Sequence, residues 1–94
     1  MVYSISYDLR KPDRNYEDLY KGIQSFGYWW HQTGSNWIIA TNKNCAEIRD
    51  YLKQFIDAND KLFVVALQKN WAAVGFSQNE YNWMKSLPEA IWNN

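Results

Sequence analysis

The run KLFVVALQ at 61–68 constrains the fold more than any other stretch, because it does not alternate. Leu62, Val64 and Ala66 take one face of a strand, and Phe63, Val65 and Leu67 take the other. The run is too short for a core helix and rich in β-formers. Both faces call for cover, so it reads as a central strand. A chain of 94 residues has room for a single domain over 1–94 and one modest core.

The rest of the chain supplies the partners for that strand. VYSISYD at 2–8 alternates cleanly, with Tyr3, Ile5 and Tyr7 on one side and Ser4, Ser6 and Asp8 on the other. A linker containing Pro12 leads to Asn15, a good N-cap for a helix from Tyr16, whose apolar stripe is Tyr16, Leu19, Tyr20, Ile23 and Phe26. Gly27 stops that helix. YWWHQ and NWIIAT around TGS form a hairpin. Asn44 and Glu47 are spaced as a capping box, opening a helix with Ile48, Tyr51, Leu52, Phe55 and Ile56 on one side. DAND is a turn into the apolar strand, and WAAVG beyond it reads as a short extra strand. Ser77 and Glu80 make a second capping box, with Phe76 and Tyr81 as its hydrophobic staple, and Leu87 and Pro88 close the helix.

The expected architecture is therefore α+β: a ferredoxin-like βαββαβ antiparallel sheet with two helices on one face, a short extra strand and a C-terminal helix. Two helices cover only one side. The side carrying Phe63 and Val65 must meet the C-terminal segment or a second subunit, so a homodimer is expected. A high aromatic share, 18%, with six Trp and seven Tyr, also favours an interface.

Charge narrows the function classes. Ten basic and ten acidic residues cancel, whereas a dedicated duplex-DNA binder carries a basic excess. Any contact with RNA or DNA must then rest on a local patch. The one cysteine, Cys45, leaves no internal disulfide and no thiol cluster for zinc. No apolar run approaches the roughly 20 residues of a membrane span, and nothing after Met1 reads as a signal peptide, so the expectation is a cytoplasmic protein with no membrane partner.

The candidate chemistry lies where the first strand ends. Asp8 occupies the less apolar face there, with Arg10, Lys11 and Arg14 just beyond. Mg2+ commonly uses one or two carboxylates and lets a phosphate and waters complete its shell. Asp8 is thus the candidate metal and catalytic residue, with Mg2+ or Mn2+ as cofactor and the partner copy's Asp8 completing the pair across a twofold axis. Arg10, Lys11 and Arg14 are candidate phosphate contacts. The plainer alternatives are a loop-anchoring carboxylate at Asp8 and cations absorbed by neighbouring acids. His31, among Tyr28, Trp29 and Trp30, reads as a strand residue before a general base. Cys45 reads as a buried small residue, and Trp29, Trp30, Trp37 and Trp71 as core or interface before base-stacking platforms.

Taken together, SISYDLRKP at 4–12, WWH at 29–31, EIRDYLK at 47–53, NWAAVG at 70–75 and FSQ at 76–78 resemble the small CRISPR-associated Cas-two family, and more closely its short SinR-like relatives. The resemblance implies a ferredoxin-like homodimer associated with nucleic acid. It also implies, at most, a weak or vestigial metal-dependent endonuclease (a phosphodiesterase), with the acid at the end of the first strand, here Asp8, as the metal-binding residue. Two features depart from the family pattern, the neutral charge balance and the bulky YWWHQ step. Both count against a DNA-scaffolding role, which needs a broad basic surface. The charge balance favours the alternative, a non-enzymatic module that binds a protein partner or small regulator through its aromatic surface, whereas the placement of Asp8 favours the nuclease reading.

Overall fold

A computed structural model describes residues 1–11 and 15–92. The elements run β1 (Val2–Asp8), α1 (Glu17–Gln24), β2 (Tyr28–Thr33), β3 (Asn36–Ala40), α2 (Cys45–Leu52) with a 3-10 turn at Lys53–Phe55, β4 (Lys61–Ala66), α3 (Gln78–Lys85) and α4 (Glu89–Trp92). The strands form an open four-stranded antiparallel sheet in the order β2-β3-β1-β4.

Local signals place the helices. Asn15 Oδ1 accepts the Glu17 N–H at 2.9 Å, but α1 starts one residue later than its stripe suggests, so the N-cap position falls to Tyr16, whose side chain makes no capping bond. Gly27, at φ +108°, turns the chain out of α1 in a conformation that side chains disfavour. Both capping boxes form, Asn44 with Glu47 and Ser77 with Glu80. The Phe76 and Tyr81 rings meet edge to face, 6.2 Å between centroids, as the staple requires.

Packing is unequal on the two faces of the sheet. One face carries Tyr3, Ile5, Trp37 and Ile39 and is closed by Leu19 and Ile23 of α1 and Ile48 and Leu52 of α2. Gly22 lets the two helical units approach, since a Cβ there would lie 2.8 Å from the Phe55 ring. The other face carries Val2, Ile38 and Ala40, which cluster with Met84 of α3, Leu87, and Trp92 of α4. The C-terminal segment thus covers part of its own sheet.

Two expectations about the sheet are corrected. The strand at 61–68 is not central: β1 holds the middle, paired to β3 on one side and β4 on the other. β4 is an edge strand whose Leu62 and Val64 pack toward the helices while Phe63 and Val65 stay 64% and 39% exposed. Its apolar residues on both faces reflect two different surroundings rather than burial. The short extra strand at WAAVG does not form: among the described residues no strand follows β4. Trp71 instead packs on the cluster under α3, drawing its segment across the sheet face rather than along the edge. The short helix α4 after Pro88 has no counterpart in the sequence reading.

Candidate functional site

β1 delivers Asp8 to the end of the sheet, opposite Lys61 of β4 and two residues along from the Ser6–Phe63 pair. Ser6, Tyr7, Asp8, Asp60, Lys61, Leu62 and Phe63 line an open depression of about 630 Å³. Asp8 and Arg10 form an ion pair at 2.9 Å, both side chains 55% exposed. At that exposure the pair contributes about 0–1 kcal/mol. Lys11 Nζ lies 3.3 Å from Asp57 Oδ2. Two of the three candidate phosphate contacts are therefore turned onto acids of the same chain. Arg14 lies outside the described residues.

The carboxylate that organises this corner is Asp60, which the sequence reading passed over as a turn residue. Its Oδ1 accepts the Arg10 N–H at 2.8 Å, its Oδ2 accepts the Asp57 N–H at 2.9 Å, and the Tyr16 hydroxyl donates to both oxygens at 3.1 and 3.0 Å. The loop-anchoring work considered for Asp8 thus falls to Asp60. The available signal was the Asp57-x-x-Asp60 spacing directly before a strand. Burial, and then the hydrogen bond to Asp60, raises the Tyr16 phenol above its ordinary pKa. Burial also raises that of Tyr7, whose hydroxyl accepts the Trp37 indole N–H at 3.0 Å.

For a divalent cation the arrangement is half a site. The Asp60 oxygens already serve three donors, which leaves Asp8 as the available carboxylate on the depression, with Arg10 beside it. Among the described residues no three His, Cys, Asp or Glu side chains gather to hold a metal. Among the described residues, no second carboxylate on the depression is left without protein donors.

The other candidates, apart from Trp29, settle into packing. The His31 ring stacks on Trp37 with 4.0 Å between centroids and 5° between planes, and its Nε2 lies 3.3 Å from the Gly34 carbonyl. Cys45 is half-buried against the helix-covered core. Trp37 is core, Trp30 and Trp71 pack on the cluster beneath α3, and Trp29 is exposed on β2. No helix among the described residues is long and apolar enough to cross a membrane. No protein-family model matches the chain, and no solved structure matches it at a significant level.

Proposed function

We propose that this chain is a ferredoxin-like, Cas-two-like domain that works by association, pairing with a second copy through the edge and outer face of β4. The strand order, read from the other edge as β4-β1-β3-β2, and the βαββαβ sequence with both main helices on one face support the ferredoxin-like reading. The observation that carries the function is Phe63 with Val65: two exposed apolar side chains on a strand whose outer backbone edge is unpaired in the sheet. Monomeric proteins protect such edges with charge, proline or cover. Between two copies the zero net charge imposes no overall repulsion, which suits a second copy as the occupant. The interface is expected to bury about 1,200 Å² or more. A single cysteine fits a cytoplasmic setting.

Light scattering after size exclusion at micromolar concentration tests this. The expected result is a dimer that Phe63→Lys converts to a monomer with unchanged circular dichroism. A monomeric natural chain, or a dimer indifferent to Phe63→Lys, overturns it.

One observation favours a second reading, a weak metal-dependent nuclease. Asp8 lies on the same outer face as Phe63, two residues along the β1–β4 ladder, which puts it beside the proposed interface, where each copy of a dimer contributes one carboxylate. Two carboxylates suit Mg2+ or Mn2+, which would supply an activated water and charge neutralisation at a phosphodiester of RNA or DNA. In this reading Arg10, freed from Asp8, and Lys11 and Arg14 bind the phosphates. Hydrolysis that requires the metal and disappears in Asp8→Asn is its test, and hydrolysis that survives Asp8→Asn removes it.

A further inference from the structure

A second cavity lies away from Asp8, between the outer sheet face and α3. It has a volume of about 190 Å³ and is walled by Trp30, Trp71, Tyr81 and Met84, with Glu80 and Ser4 among its lining. Cavities of about 150 Å³ already admit benzene.

Three features define what would fit. The walls are fixed before any ligand arrives. Trp30 is held by Phe76 and Trp83 at ring separations of 5.4 and 5.8 Å, and the Tyr81 hydroxyl ties α3 to the Ala73 carbonyl at 3.2 Å. The polar groups of the floor satisfy one another: the Ser4 hydroxyl donates to Asn36 Oδ1 at 2.8 Å, and Asn36 Nδ2 donates in turn to Gln32 Oε1. A ligand there need not bring hydrogen bonds. Last, the lining is electrostatically one-signed. Glu80 brings a carboxylate, the lining contains no Lys, Arg or His, and among the described residues Glu80 makes no ion pair. Aromatic faces are themselves electron-rich and attract cations. An anion would be repelled, and a neutral apolar molecule would desolvate the carboxylate without replacing its water.

We propose that this cavity binds a small quaternary ammonium cation of the size of choline, with Trp30, Trp71 and Tyr81 as its aromatic walls and Glu80 as its counter-charge. Such a cation has no N–H to satisfy, carries methyl groups for the aromatic faces and spreads its charge over a volume the cavity can hold. The function of the chain would then include sensing or carrying a small cation, independently of how two copies associate.

The test is calorimetric titration of the full chain with choline and with 3,3-dimethylbutan-1-ol, which has the same shape and no charge. Choline is expected to bind saturably, and the neutral isostere about tenfold more weakly or worse. Glu80→Gln removes the charge while keeping the helix cap, because glutamine serves at the third position of a capping box. It is expected to weaken choline by about tenfold or more, and Trp71→Leu by a similar factor. Absence of saturable choline binding overturns the proposal, as does equal binding of the isostere or undiminished affinity in Glu80→Gln.

Discussion

On the helix-covered face of the sheet, Tyr3, Ile5, Trp37 and Ile39 are sealed beneath α1 and α2. On the outer face, Val2, Ile38 and Ala40 are equally sealed beneath the C-terminal helices, but Phe63 and Val65 on the same face are not. Both faces arise from the same two-residue alternation. The difference lies in their covers. The helices α1 and α2 are connected into the βαββαβ order and span the sheet, whereas α3 and α4 arrive last and reach only the end near Val2 and Ala40. The inner face is thus a folding core. The outer face is divided between a satellite core enclosing a cavity and an open patch beside Asp8.

The largest effect is expected where that contrast is sharpest. Ile39→Ala empties a fully buried site on the inner face and should cost about 2–5 kcal/mol in denaturant unfolding. Phe63→Ser, at concentrations where the chain is monomeric, should change stability by less than about 0.5 kcal/mol. Comparable losses at the two positions would mean that the outer face is covered within one chain.

Asp60→Asn comes next. Its Oδ2 accepts the Asp57 N–H, and an amide NH₂ in that place would set donor against donor. The loss should be about 1–3 kcal/mol by thermal or denaturant unfolding. An unchanged midpoint would show that Tyr16 and the Arg10 N–H hold the corner without a carboxylate.

Ser77→Ala probes the cover of the outer face. It removes the acceptor for the Glu80 N–H, a bond of 3.3 Å, and should lower stability by about 1 kcal/mol. The same change should loosen the wall of the cavity, since Tyr81 follows directly on the capped turn. A silent substitution would place the start of α3 elsewhere.

What was legible in the sequence, and what was not, follows the reach of the interactions. Both capping boxes, the staple, the stop at Gly27 and the stripe holding Leu19 and Ile23 were readable because each joins residues within a turn or two. The position of β4 was not. Its apolar residues on both faces suit a central strand and an exposed edge alike, and only the pairing of β1 with both β3 and β4 distinguishes them. Trp71 was misplaced for a related reason, because strand propensity over WAAVG lost to a tertiary contact beneath α3. At the site, the acid ending the first strand was visible from alternation alone. The centrality of Asp60 rests on Tyr16 and Arg10, residues 44 and 50 positions away, and no local pattern encodes that.

The smallest expected effect is at Asp8. Its Arg10 partner is as exposed as Asp8 itself, so solvent screens the pair and the surrounding backbone does not depend on it. Asp8→Asn should therefore fold normally and shift the unfolding free energy by less than about 0.5 kcal/mol. A carboxylate that stabilises so little is free to be spent on a ligand, and the companion measurement asks whether it is. If two copies bring their Asp8 side chains together, the dimer should gain thermal stability on addition of Mg2+ or Mn2+, and Asp8→Asn should abolish the gain. If the metal produces no shift in the natural chain, the outer-face patch serves association alone. A loss of several kcal/mol in Asp8→Asn would instead make Asp8 an anchor of the same kind as Asp60, and the contrast between the two carboxylates would fail.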